Sequence, residues 1–271
     1  MIIDFSKRNS QIINEFEEDG LVLVPQLVLE RDVRRLSREV EDVINGIYST
    51  GLAPDKVKWK PGDKEDVVRS VCNAWKSSTV IKSFITMNSA IPSIAKQLMG
   101  WKSVKLNQDS ILVVPPGSKG VTFHQDNSYQ DWHLPGRILT CWLSLSYIDG
   151  AESSALAYAV GSHRWPLGSR VSSFTDLSDS AADLRAFASS SNRSLNFRAK
   201  NYSPGDASFH HGNLWHGSFP NSSASTRLAI AFHLMDGDSR FSDVISPFFS
   251  RFRLGESDAM HDAFFPCLSE G

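Results

Sequence analysis

Apolar residues recur along this chain at two different periods, and the change falls near residue 103. In the first hundred residues the helical period dominates. Val33, Leu36, Val40, Val43, Ile44 and Ile47 stand three and four apart, which predicts an amphipathic helix over 30–48. A short helix is expected over 10–18, ending near Gly20. A further helical region over 78–99 carries Val80, Ile81, Phe84 and Ile85, with Pro92 marking a break or a new start. Between these lie a brief apolar strand, Leu21-Val22-Leu23-Val24, stopped by Pro25, and a Gly-, Pro-, Lys- and Asp-rich stretch over 50–66 that reads as an exposed loop. Beyond residue 103 short extended segments follow one another at 104–114, 121–126, 138–147, 154–160, 194–199, 206–211 and 226–234. Pro115-Pro116-Gly117, Asp149-Gly150, Gly161-Ser162 and Pro204-Gly205-Asp206 punctuate them. Many short strands after a helical preface predict a mainly β protein, a sandwich or jelly roll with helices packed on one side. The Ser- and Asp-rich insert at 166–193 is expected to form a loop or a short helix.

Composition narrows the class. At 271 residues the chain suits one domain, with a helical preface over about 1–102, a core over about 103–235 and a C-terminal extension over 236–271. A net charge of −2 with both signs mixed along the chain argues against a nucleic-acid partner and against a polybasic membrane patch. The three cysteines, Cys72, Cys141 and Cys267, are odd in number and form no CxxC, so neither a disulfide framework nor a structural zinc site is expected. The first twenty residues have no apolar run of signal-peptide length, and no segment is long and apolar enough to predict a membrane span. A cytoplasmic protein with a small-molecule partner is the expectation, and the oligomeric state is not legible.

The chemistry is concentrated in a split set of residues. His124 and Asp126 stand two apart at the end of an extended segment, so their side chains share a face. A second histidine from a distant strand would complete the two-imidazole, one-carboxylate set that holds non-haem Fe(II) and leaves positions open opposite. His210, His211, His216 and His233 are the contenders, and spacing to an arginine selects among them. An oxygenase that consumes a 2-oxo acid must hold its remote carboxylate in a partly dry pocket, which the two-pronged guanidinium of arginine does well. His216 and Arg227 offer that pair across one hairpin. The equivalent step from His210 reaches Asn221, and from His211 it reaches Ser222.

These residues lie in motifs that resemble the phytanoyl-CoA dioxygenase family. Pro115-Pro116-Gly117 followed by His124-Gln125-Asp126-Asn127-Ser128-Tyr129 is similar to the family's proximal motif, and His216-Gly217-Ser218-Phe219-Pro220-Asn221-Ser222 with Arg227 to its distal one. Gly161-Ser162-His163-Arg164-Trp165 resembles the family's PGSHRW turn, with Val160 where proline is usual. Asp19-Gly20 before a short apolar strand matches the family's N-terminus. The resemblance runs in order over roughly 15–235. It implies a double-stranded β-helix (a cupin-like jelly roll), with Fe(II) held by His124, Asp126 and His216, and 2-oxoglutarate and O2 as cosubstrates. It further implies that Arg227 binds the remote carboxylate with help from Ser218, that Trp142 lines the cosubstrate pocket, and that Gln108 is a hydrogen-bond donor to the cosubstrate.

The same resemblance implies hydroxylation of an unactivated C–H bond, because Asp126 fills the position that related halogenases leave to glycine or alanine. Desaturation, epoxidation and ring formation remain open to the same oxidant. Two other readings also stand: a Zn2+ or Mn2+ enzyme that is not an oxygenase, and a non-catalytic binding jelly roll. Tyr129, Trp132, His133, Trp215 and Phe219 flank the ligands and are expected to shape a substrate pocket. Trp59 and Trp75 would suit a ring-bearing substrate, and the loops 50–76, 127–137 and 166–193 are expected to contact it. The tail Ser269-Glu270-Gly271 differs from a Ser-Lys-Leu-type peroxisomal signal, which favours a natural-product tailoring enzyme over fatty acyl-CoA degradation.

Overall fold

In the computed structural model, which describes residues 9–150, 152–171, 174, 179, 181–244 and 247–269, helices α1 (Ser10–Asp19), α2 (Glu30–Ile44), α3 (Thr79–Met87) and α4 (Ala90–Met99) precede the main run of strands. The side chain of Asn9 accepts the N–H groups of Gln11 and Ile12 at the start of α1, and Gly20 ends that helix in the left-handed conformation (φ 80°). Helix α2 buries Val33, Leu36, Val40, Val43 and Ile44, the stripe its spacing predicts. Two further helices, α5 (Ala182–Ser190) and α6 (Pro247–Ser250), lie in the insert and in the C-terminal extension.

The strands are β1 (Leu21–Val24), β2 (Lys56–Val57), β3 (Arg69–Cys72), β4 (Val104–Val114), β5 (Val121–His124), β6 (His133–Leu134), β7 (Ile138–Ser144), β8 (Leu156–Ala159), β9 (Phe197–Ala199), β10 (Ala207–His211), β11 (His216–Ser218), β12 (Arg227–Asp236), β13 (Arg240–Phe241) and β14 (Cys267–Ser269). A major sheet runs in the order β1-β10-β7-β12-β4-β3-β2, with β14 also paired to β4. A minor sheet runs β5-β11-β8-β9, and β13 pairs with β6. This is a jelly roll. Its sheets pack through Trp142, Ala229 and Ala231 of the major sheet against Leu156 and Tyr158 of the minor one, and the Tyr158 hydroxyl meets Ser208 Oγ across the gap at 2.7 Å.

The other face of the major sheet carries the largest apolar cluster, where Ile111, Cys141, Phe209, Ile230 and Phe232 pack with residues of α2, α3 and α4. The helices therefore cover one face and leave the inner face to the site. Strands are not confined to the expected core, however. β1, β2 and β3 from the helical preface and β14 from the extension all join the major sheet. The stretch expected to be an exposed loop at 50–66 contains β2 and the buried Trp59, against which Arg69 stacks at 4.0 Å. Part of the insert, the first eight residues and the last two residues of the tail lie outside the described residues.

The Gly161–Trp165 motif clamps the preface to the minor sheet. His163 Nε2 and Arg164 Nη1 donate to the Glu17 carbonyl, Arg164 Nη1 also donates to that of Glu18, and Ser162 Oγ receives the Trp215 N–H at 2.9 Å. Thus one turn ends α1 and anchors the approach to β11. No helix among the described residues is long and apolar enough to cross a membrane.

Gly217, between His216 and Ser218 on β11, has no room for a side chain, since an added Cβ would stand 2.8 Å from Phe123 Cα on β5. Gly217→Ala is expected to cost about 1–3 kcal/mol of folding stability, the usual range for overpacking, measured by denaturant unfolding. Unchanged stability would mean that β11 does not approach β5 this closely.

Candidate metal centre

His124 ends β5 and His216 begins β11, and the two are direct partners in the antiparallel register, so both imidazoles emerge at one point with ring centroids 4.4 Å apart. Each ring is oriented in the same way. Nδ1 of His124 donates to the Thr122 carbonyl at 2.7 Å, and Nδ1 of His216 to that of Leu214 at 2.9 Å. With the proton on Nδ1, each Nε2 is left as a free lone pair on the same side, which is what a metal ligand needs. The chain then leaves the extended conformation: Asp126 opens a 3-10 turn over Asp126–Tyr129. Gln125 between the two ligands points away, bonding to the backbone of Gly168 and Asn213. Asp126 Oδ1 lies 3.4 Å from His124 Nε2 and 3.6 Å from His216 Nε2, and the three ligand atoms fall within 4.8 Å of one another.

Protonation states suit the same purpose. Burial alone would raise the Asp126 carboxyl, but the positive charge available on the surrounding imidazoles, that of His216 first, holds it well below the usual carboxylate range. Burial pushes His216 well below the ordinary imidazole value. A cation takes these groups as an ionised carboxylate and unprotonated imidazole nitrogens, so its binding would displace any proton they share.

Beside the ligands opens a cavity of about 320 Å3. Its floor is the inner face of the major sheet. Arg227, at the start of β12, shares that face with Ala229, Ala231 and His233 by alternation. Its guanidinium reaches over the Trp142 ring, 5.7 Å from the centroid, and Trp142 is the register partner of Ala231. The alanines leave the room through which the arginine extends toward the metal ligands. Burial lowers Arg227 to about 10, so it remains a cation at neutral pH. Nη1 donates to the Ser154 carbonyl, but Nε and Nη2 are buried with no partner. Trp142 Nε1 is likewise buried and unpaired in this wall. An uncompensated buried guanidinium is costly, so this cluster of orphan donors is built for an anion. The residues present therefore fit both implied groups: a divalent iron on His124, Asp126 and His216, and a dicarboxylate whose remote end meets Arg227.

The other expected residues are distributed unevenly. Trp142, Gln108 and Tyr129 line the cavity. Gln108 is the register partner of His233, so it stands at the metal end of the floor, not at the Arg227 end. Ser218 is fully buried behind the wall, where its Oγ accepts from the Val121 N–H and the Ser154 hydroxyl. It reaches Arg227 only through Ser154. Four expected pocket residues lie elsewhere. Trp132 stacks on Phe249 (3.8 Å, 8°) in an aromatic cluster with Phe241 and Phe265, because the C-terminal extension folds back over it. His133 is buried behind the wall against Gln130 Oε1, and burial lowers it to about 4. Trp215 and Phe219 face outward from the minor sheet, into a cluster with Phe123, Leu184 and Phe187. Trp59 and Trp75 belong to the main core and do not line the cavity either.

Two of the loops expected to contact the substrate, 50–76 and 166–193, reach the site, joined by residues that the sequence did not single out. Lys56, Lys58 and Cys72 from the 50–76 stretch, Phe174 from the insert and Phe248 from α6 line the cavity, with Phe174 edge-on to His124 at 4.7 Å. Thr140 and His210 lie beside Asp126. Alternation offered a signal for Thr140, which shares a strand face with Trp142. None existed for Phe248, which follows the last long strand.

Comparison with known proteins follows from this geometry. The family model "Phytanoyl-CoA dioxygenase (PhyH)" matches residues 16–229. No curated protein matches the chain in sequence. Among solved structures, the non-heme alpha-ketoglutarate-dependent carbocyclase SnoK from nogalamycin biosynthesis superposes with a TM-score of 0.76 at 22% identity, over 98% of each chain. The epimerase SnoN, solved with Fe3+, alpha-ketoglutarate and nogalamycin RO, gives 0.70 at 18%, over 96% of this chain and 98% of its own. EctD from S. alaskensis, solved with 2-oxoglutarate and 5-hydroxyectoine, gives 0.72 at 19%, over 93% and 86%. At these identities the superpositions establish a shared fold. With a family match over most of its length, the chain belongs to the phytanoyl-CoA dioxygenase (PhyH) family.

Proposed function

We propose that this protein is an Fe(II)- and 2-oxoglutarate-dependent oxygenase that hydroxylates an unactivated C–H bond of a small natural-product-like molecule. The observation that carries the reading is the buried, half-unpaired Arg227 in the wall of the same cavity that His124, Asp126 and His216 enter. A zinc hydrolase on this fold would have no use for a buried cation at that place, and a binding jelly roll would have no use for the three ligands.

Bound iron and 2-oxoglutarate supply the oxidation, with succinate and CO2 as co-products. The chain supplies position and exclusion. His124 and His216 present unprotonated Nε2 atoms, and Asp126 contributes the negative charge that offsets the metal. Arg227 neutralises the far carboxylate, and the Trp142 ring beneath the guanidinium holds it in place. Leu112, Val121, Leu156, Phe174 and Phe248 make the remaining walls largely apolar, which keeps water from the reacting centre. Asp126 occupies the place where a halide would have to bind, so oxygen insertion is favoured over halogenation. Ring formation is the second reading, supported by SnoK, a carbocyclase that aligns over 98% of both chains. The natural-product assignment draws on SnoK and SnoN, both from nogalamycin biosynthesis.

With Fe(II), 2-oxoglutarate, air and a panel of cyclic natural-product scaffolds, succinate is expected to accumulate together with a product heavier by one oxygen atom. A product lighter by two hydrogens would select ring formation or desaturation, and efficient turnover of phytanoyl-CoA would overturn the substrate class. Absence of succinate across the panel would count against an oxygenase. His124→Ala and His216→Ala are each expected to abolish stoichiometric Fe(II) uptake under anaerobic conditions; retention of iron by both would sink the ligand assignment. Arg227→Gln is expected to weaken 2-oxoglutarate binding by about 3 kcal/mol, roughly a hundredfold, while leaving Fe(II) uptake intact. Anaerobic titration of the iron-loaded protein measures both.

A further inference from the structure

Four polar side chains form one line across the floor of the major sheet. In register they are Gln108 on β4, His233 on β12, Thr140 on β7 and His210 on β10. Asp126 sits over this line. Its two oxygens have different neighbours: Oδ1 faces the Nε2 atoms of His124 and His216, whereas Oδ2 turns down to the floor. There Thr140 Oγ1 donates to Oδ2 at 2.7 Å, and His233 Nδ1 lies 2.9 Å from the same hydroxyl. His210 Nε2 and His233 Nδ1 stand 3.5 and 3.7 Å from Oδ2, too far for hydrogen bonds of full strength.

A hydroxyl has one proton to give. If Thr140 gives it to Asp126, the contact with His233 must run the other way, with Nδ1–H of His233 donating to Thr140 Oγ1. The order of donors is then set along the chain, from His233 to Thr140 to Asp126. We propose that Thr140 and His233 are positioning residues for the metal centre: they hold Asp126 Oδ2 on the floor of the cavity so that only Oδ1 is offered to the metal. The inference rests on the reading of His124, Asp126 and His216 as metal ligands and adds a reason for the form of that site. A carboxylate free to turn can give a metal two oxygens and occupy a second position. One pinned by a charge-assisted hydrogen bond gives a single oxygen and leaves the opposite face open for cosubstrate and O2. Thr140 is 1% exposed, so water does not compete for its bond to Asp126.

The test measures binding of Mn(II), which is stable in air, by calorimetry without 2-oxoglutarate, together with the melting temperature of each metal-free variant. Thr140→Val is expected to weaken Mn(II) binding roughly ten- to a hundredfold, the range seen when partners behind a ligand are removed. Thr140→Ser, which keeps the hydroxyl, is expected to retain the parent affinity. His233→Leu is expected to weaken binding in the parent, and His233→Asn, which restores an N–H donor near the Nδ1 position, to recover it. Because His233 acts through Thr140, His233→Leu should have no further effect on affinity in the Thr140→Val background. A merely structural role for the two residues would give additive losses that follow the melting temperature and not the retained donor. Parent-like affinity in Thr140→Val, or an undiminished His233→Leu effect in its background, would overturn the relay while leaving the ligand assignment standing. A parent protein that takes up no Mn(II) or Fe(II) would overturn the metal centre and the relay with it.

Discussion

The site depends on one strand pairing. β5 and β11 run antiparallel with His124 opposite His216, and everything else in the centre follows from that register. A slip of one residue would send one imidazole to the outer apolar cluster, because successive side chains on a strand face opposite ways. The pairing is defended from several sides. Gly217 lets the strands approach against Phe123, and Ser218 Oγ takes the Val121 N–H where the ladder becomes irregular. Ser162, at the start of the turn that also caps α1, holds the Trp215 N–H just before His216. Carbonyls two residues upstream fix both rings, so the same short segments that set the register also set which nitrogen faces the metal.

The cavity holds opposite charges that burial makes costly, and it answers them asymmetrically. Asp126 is surrounded by imidazoles and a hydroxyl, so its charge is supported even in the protein alone. Arg227 has only the Ser154 carbonyl and the Trp142 face, and two of its nitrogens have no partner. An unsupported cation in a dry wall is a cost borne by the fold, and on the proposed reading an anionic cosubstrate would relieve it. The pairing of β12 with both β4 and β7 is extensive enough to hold the guanidinium where solvent cannot reach it.

The chemistry of the centre was legible in local sequence because it rests on residue type and short spacing. His124 and Asp126 are two apart, and Arg227 picks out His216 through a single hairpin. The inward face of each strand could also be read from alternation, which places Trp142, and by the same parity Thr140 and His233, toward the site. The pocket walls could not be read in this way. Proximity in sequence to a ligand misdirected the choice of Trp215 and Phe219, which alternate to the outer face, and of Trp132 and His133, which the C-terminal extension covers. Parity argued from His216 would have excluded Trp215.

What tertiary structure alone decided is the company the ligands keep. Lys56 and Lys58 come from a segment with loop-like composition, Phe174 from a polar insert, and Phe248 from beyond the last long strand, and all reach one cavity. No periodicity carries that information, since each of these segments is placed by pairing or packing with elements far away in the chain. β2 and β3 reach the site through β4, and the extension is tied down by β14 on β4 and by Arg251 on Asp55. His124 with Asp126, and His216 with Arg227, are pairs at short spacing, whose local geometry the residue types dictate directly. The shape of the space in front of them follows from long-range contacts, whose energies depend on surfaces that exist only once the chain has folded.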